Sequence, residues 1–134
     1  MAAVKDDRWC FACGPDNPHG LHLEGFHDEG GDHVVSFVPE RRHQGWQDRT
    51  HGGIVATLLD EVMTRLLRAR GHDAVTAELT VRYHQALDTG APVQARAREV
   101  QRRGRLVQVE AEVRTEDGTL VATGQGKFML LPTA

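Results

Sequence analysis

Residues 50 to 64 read THGGIVATLLDEVMT, and they decide the fold. The stretch opens on Thr50, His51, Gly52 and Gly53 and then turns apolar. From Gly53 to about Arg70, the residues Ile54, Val55, Ala56, Leu58, Leu59, Val62, Met63, Leu66 and Leu67 occupy most of the circumference of a helix. A helix that is apolar nearly all round is a buried one. Gly71 supplies a stop. Within this greasy run stand two carboxylates, Asp60 and Glu61, about 100° apart round the axis.

Everything after the helix alternates with period two, the mark of half-buried strands. In 76–84, Ala77, Leu79, Val81 and Tyr83 share a face. In 92–100 it is Val93, Ala95 and Ala97. In 105–114 it is Val107, Val109, Ala111 and Val113, and in 119–130 it is Leu120, Ala122, Gly124, Gly126 and Phe128. Turns fall at 88–90, 103–104 and 117–118, so a four-strand meander is expected. Ahead of the helix, 21–29 and 32–38 read as two strands joined by Gly30 and Gly31. Residues 39–50 read as a loop with one helical turn, and 1–19 as an irregular segment dense in turn residues. The small inward residues let a helix sit close against the sheet. The pattern predicts one α+β domain over 1–134, a curved antiparallel sheet of about six strands round one long helix.

Composition excludes several classes. The chain has 134 residues, is 40% hydrophobic and 26% charged, and carries a net charge of -3. Those values suit one globular domain and give no basic footprint for nucleic acid. No apolar run reaches the ~18–20 residues of a membrane span. MAAVKDDRW has no apolar export core, so a cytoplasmic location is expected. The cysteines, Cys10 and Cys13, are then expected reduced. With His19 and His22 they sketch a zinc site. Only five residues separate Cys13 from His19, however, and two separate the histidines. That spacing is too short for a finger-type site, so no metal is expected and the thiols read as small packing groups.

The chemistry starts from Asp60. Glu61 has Arg65 four residues on and Arg68 seven on, which predicts a solvated ion pair. Asp60 has no cation within a turn, and an aspartate is costly to bury unpaired. A carboxylate in a partly apolar cleft can act as base or nucleophile. The helix start supplies a second element. Its first N–H groups lack intrahelical partners, and the Gly53 N–H can hold a developing oxyanion.

HGG, an acid nine residues after its histidine, and the strand pattern together resemble hotdog-fold acyl-CoA thioesterases of the phenylacetate-degradation (PaaI-like) type. CFACGPDNPHGLHL and QGWQDRTHGGIVATLLDEVM carry the likeness, which spans about residues 10 to 131. Relatives of that type carry a glycine near the position of Asp48, where this loop reads QDRT. The resemblance implies a homodimer or dimer of dimers with the site at the subunit interface. It implies Asp60 as catalytic acid group, Gly53 as oxyanion donor, and Thr76, from the partner subunit, as a water-orienting hydroxyl. His51 and Gly52 would shape the loop against the ligand, and Thr64 is a second candidate hydroxyl. Trp46 would line the acyl pocket or cap the core, and Arg102, Arg103 and Arg105 would meet the phosphates of CoA or form a solvated hairpin. No cofactor is implied.

Three functions compete. The first is hydrolysis of an acyl-CoA or acyl-carrier thioester. The second is a hotdog dehydratase or hydratase, which needs a histidine base, His43 or His51, facing an acid. The third is a non-catalytic acyl-CoA binder.

Overall fold

The helix and the strands emerge close to their periodicities in the computed structural model, which describes residues 3–132. Helix α1 spans Gly52–Ala69 and buries Val55, Leu58, Leu59, Val62, Met63, Leu66 and Leu67. Burying a side chain of that size contributes about 1.5–3 kcal/mol. His51 caps the start, its Nδ1 accepting the Gly53 N–H at 2.8 Å. At the far end Gly71 takes φ 88°, and the Gly71 and His72 amides return to Arg68 O and Leu67 O at 2.9 and 3.0 Å.

Six strands follow the chain: β1 (His27–Glu29), β2 (Asp32–Phe37), β3 (Ala74–Tyr83), β4 (Val93–Arg103), β5 (Leu106–Thr115) and β6 (Leu120–Leu130). A 3-10 turn at Arg41–His43 is the helical turn expected in the loop before α1. All pairs are antiparallel, in the order β1-β2-β4-β5-β6-β3. The sheet wraps α1, which touches β2 through β6. The inward residues are the expected small ones. A Cβ on Gly124 would meet Leu59 at 3.4 Å, and one on Gly126 would overlap the Phe128 ring and reach Met63 at 3.2 Å.

Three expectations are corrected. The first strand is only three residues long. His22 (φ 54°) and Gly25 (φ 77°) break the extended run, and the Leu21 and Leu23 amides bond Phe11 O and Ala12 O, both at 2.9 Å, instead of a sheet neighbour. The four-strand meander is a three-strand one, β4-β5-β6; β3 lies beyond β6, and β4 inserts between β2 and β5. Period two fixes which face a residue takes but carries no information about which strand lies alongside. Third, β3 is not uniformly alternating. Its register against β6 shifts between Thr76 and Glu78, leaving Ala77 as an extra residue. A bulge of one residue exchanges the two faces. Beyond it Leu79 and Val81 pack against the core; before it Ala74 does, and Ala77 and Tyr83 are exposed.

Candidate active site

The bulge decides where Thr76 points. It turns the side chain toward α1, where Thr76 Oγ1 donates to Asp60 Oδ1 at 2.7 Å. The sequence pattern put Thr76 on the outer face, and the resemblance supplied its hydroxyl from a partner subunit. The contact lies within one chain. Asp60 is half-buried, as expected. Thr64 Oγ1, one turn on, donates to Asp60 O at 3.0 Å and so braces the helix backbone at the same residue. That back-bond satisfies the hydroxyl locally.

The start of α1 forms a second cluster. His51 Nδ1 holds the Gly53 N–H, so the amide expected to face an oxyanion is taken by the cap in this conformation. Among the described residues the Gly52 N–H has no hydrogen-bond partner in the protein. The open donor is therefore one residue earlier than expected. Tyr83 Oη donates to Gly52 O at 2.6 Å, and its ring lies 3.4 Å from where a Gly52 Cβ would stand. Tyr83 ties the end of β3 to the helix start, and a side chain at Gly52 would crowd it. Sequence reasoning missed this link because it assigned Tyr83 to the core.

The loop before α1 is fixed by backbone bonds, Thr50 N–H to Leu87 O and His51 N–H to His43 O, both at 2.8 Å. Asp48 takes φ 60°. That is a conformation glycine adopts freely and aspartate tolerates, so the departure from the relatives' glycine falls where the backbone is left-handed. Trp46 is 86% exposed and neither lines a pocket nor caps the core within the chain.

The arginines of the β4–β5 turn lie elsewhere. Leu106 pairs Met129 and Ala74 pairs Leu130, which puts this turn at the end of the sheet next to the C-terminus of α1. Arg102 bonds Glu99 and His72 at 3.1 and 3.2 Å, and Arg105 bonds Leu130 O at 3.3 Å. An 18-residue helix is ~27 Å long, so Arg102, Arg103 and Arg105 do not meet Gly52 in one chain.

The two histidines named as alternative bases are both engaged. His43 is 4% exposed, and its Nδ1 accepts the Glu40 N–H at 2.9 Å. Burial, with the neighbouring Arg42 charge, holds its pKa below the usual imidazole range. Neither His43 nor His51 is hydrogen-bonded to a carboxylate.

Glu61 is not a solvated ion pair. Its carboxylate turns under the N-terminal segment toward Cys10 and Cys13, with Cys10 Sγ 3.9 Å from Oε2. Burial raises its pKa. The partner lies 51 residues away in sequence, beyond the reach of helical spacing.

Residues 48–122, more than half of the 134, match the thioesterase superfamily. The structure is similar to that of the phenylacetic acid degradation protein PaaI from Thermus thermophilus, solved as a point mutant. The two share 32% identity over 83% of this chain and 95% of that one, with a TM-score of 0.74. The chain belongs to the thioesterase superfamily, among its PaaI-like hotdog proteins. A thioesterase superfamily protein 24% identical superposes over 96% of this chain and 72% of its own, with a TM-score of 0.83. A hypothetical thioesterase protein from Streptococcus pneumoniae, solved with coenzyme A, is 18% identical over 83% of this chain and 88% of its own, with a TM-score of 0.75. Two more structures of a hypothetical thioesterase protein from that source carry an aspartate-to-alanine and a threonine-to-alanine change, sixteen positions apart. No curated protein matches the chain. Among the described residues no helix is long and apolar enough to cross a membrane.

Proposed function

We propose that the protein hydrolyses an acyl-CoA thioester as a homodimer, each site joining the α1 start of one subunit to the Asp60–Thr76 pair of the other. The 2.7 Å bond from Thr76 to Asp60 carries the reading, because it aims a carboxylate and a hydroxyl at one point. Asp60 and Thr76 are sixteen residues apart, the spacing of the aspartate and threonine replaced in the pneumococcal thioesterase. The coenzyme A in that protein supports CoA as the thiol here.

Geometry argues for two chains. From Gly52 to Asp60 the helix rises ~12 Å, too far for one thioester carbonyl to touch both groups of one chain. Strand β3 is an edge of the sheet. A ten-residue unpaired edge invites a partner. An antiparallel pairing with Thr80 on the two-fold axis sets Glu78 across from the partner's Arg82. It also sets Tyr83, which holds Gly52, against the start of the partner's β3, where Thr76 and Asp60 stand. The same operation brings the partner's β4–β5 turn to this end of the sheet, the one position from which Arg103 and Arg105 can meet CoA phosphates. Trp46 would be covered by the acyl chain or the partner.

The steps then follow. Asp60, oriented by Thr76, takes a proton from water as the water oxygen attacks the thioester carbon. The carbonyl oxygen becomes anionic and is held by the Gly52 N–H, joined by that of Gly53 if the His51 ring swings aside. The C–S bond breaks, the thiolate takes the proton from Asp60, and free acid and CoA leave. Direct attack by Asp60, giving a mixed anhydride that water then opens, uses the same groups. A dehydratase is disfavoured by the engagement of His43 and His51 in backbone caps.

The test is free-thiol release from short, medium, long and aryl acyl-CoAs, with sedimentation to read the assembly. Turnover in a dimer is expected. A monomer that turns over would remove the two-chain site. Binding of acyl-CoA in calorimetry with no release would replace the enzyme by the binder, and release from acyl-carrier protein alone would change the substrate.

A further inference from the structure

Cys10 and Cys13 play no part in that reaction, yet the fold builds a site around them. Both Sγ atoms and a Glu61 carboxylate oxygen lie within 4.8 Å of one another. In a tetrahedral zinc site, Zn–S ~2.3 Å and Zn–O ~2.0–2.2 Å give an S···S edge of ~3.8 Å and an S···O edge of ~3.6 Å. The observed 3.9 Å from Cys10 Sγ to Glu61 Oε2 is within a few tenths of that edge.

The turn carrying the thiols is shaped for sulfur. The Cys13 N–H donates to Cys10 Sγ at 3.5 Å, and the Gly14 N–H donates to Cys10 O at 2.8 Å. A Cβ on Gly14 would lie 2.6 Å from Cys10 O and 2.7 Å from Arg8 O, so the turn is closed to any other residue. Arg65 Nη1 donates to Cys13 Sγ at 3.8 Å, setting a positive charge beside a trio of acidic groups. His72 and Thr64 line the same groove, of about 550 Å³, under the N-terminal segment.

We propose that Cys10, Cys13 and Glu61 bind one Zn2+ that fastens the N-terminal segment to α1, with a water from the groove as fourth ligand. Two thiolates and a carboxylate suit a borderline-soft ion over Mg2+ or Ca2+. Binding releases both thiol protons, and the carboxyl proton where one is held. The resulting site has a net charge of about -1, facing Arg65. Local spacing sets the cysteines beside His19 and His22, too close for a finger-type site; the proposed third ligand is an acid 48 residues beyond Cys13.

The test uses the full-length protein, reduced and stripped with chelator, titrated with Zn2+ against a chromophoric competitor and with Co2+ as a spectroscopic stand-in. One equivalent of Zn2+ with a Kd below about 1 μM is expected, with a thiolate-to-cobalt charge-transfer band and a higher Tm for the loaded protein. Cys10→Ser and Cys13→Ser should each weaken binding about 100-fold or more, and Glu61→Gln about 10-fold or more. Should Glu61→Gln fail to fold, Glu61→Asp takes its place with the same expected direction. The doubly substituted His19→Ala, His22→Ala protein should bind as wild type does. No stoichiometric binding, no thiolate band, unchanged affinity after loss of the Glu61 carboxylate, or loss of binding with the two histidines would each overturn the site.

Discussion

Asp60 and Glu61 are neighbours in sequence, and the fold sends them to opposite fates. Asp60 looks toward the edge strand β3 and a single hydroxyl, on a flank that the chain leaves for something else to cover. Glu61 looks under the N-terminal segment that carries Cys10 and Cys13, with two thiols and Arg65 around it. The difference is made elsewhere than in the helix. A one-residue bulge aims Thr76 at the first carboxylate, and a glycine-bound turn lays Cys10 over the second. A 100° step round a helix is enough to separate a carboxylate that faces an edge strand from one that faces the N-terminal segment.

That contrast can be broken most directly at Asp60. Asp60→Asn keeps the shape and the Thr76 contact, so thiol release should fall about 100-fold or more, at least ~2.7 kcal/mol of barrier. The circular dichroism melt should stay that of wild type. Equal turnover in both proteins would erase the distinction between the flanks and send attention to His51. On the covered flank the effect should be on stability instead. Leu23, 4% exposed and bonded through its amide to Ala12, anchors the roof, and Leu23→Ala should cost roughly 2–3 kcal/mol in denaturant melts. A loss below ~1 kcal/mol would mean the roof is loosely attached.

Smaller effects sharpen the picture. Thr76→Ala should lower kcat about 10-fold, and Thr76→Ser should restore most of it; if serine fails as fully as alanine, the threonine acts by packing. His43, beneath the loop that leads to Gly52, gives a pH signature. Its folded pKa is lowered, so the unfolded chain takes the proton first, near pH ~6.5. Stability is therefore full above that value and declines as pH falls toward the folded pKa. Urea melts from pH 7.5 to 5 should show the decline, and His43→Asn should flatten it; an unchanged slope would assign it to other groups. The least effect is expected at Asp48. Asp48→Gly relieves a left-handed φ but loosens the unfolded chain, and the two should leave stability within about 1 kcal/mol.

The sequence made the helix, its glycine start and stop, the small inward residues and Asp60 readable, because each follows from local period or local backbone demand. It left unreadable what depends on distant partners. The place of β3 beyond β6 follows from how the β3–β4 connection crosses the molecule, and no alternation records that. Alternation puts Thr76 on the outer face, since the inserted Ala77 looks like one more member of an alternating run. Helical spacing pairs Glu61 with Arg65 and Arg68, while Cys13 and Cys10, which lie against it, are 48 and 51 residues upstream. That the Gly53 amide bonds the His51 ring is equally unreadable, because it is decided by one side-chain rotamer.

The extra residue in β3 has a consequence for how such a chain could change over generations. Deleting Ala77 would restore a regular ladder with β6 and swing Thr76 away from Asp60. Selection for thermal robustness alone would reward that deletion, and the lineage would gain a more regular sheet while losing the hydroxyl contact to Asp60. Conversely, inserting one residue into a plain strand of a binding protein with this architecture is a single mutational event that could deliver a hydroxyl to a waiting carboxylate.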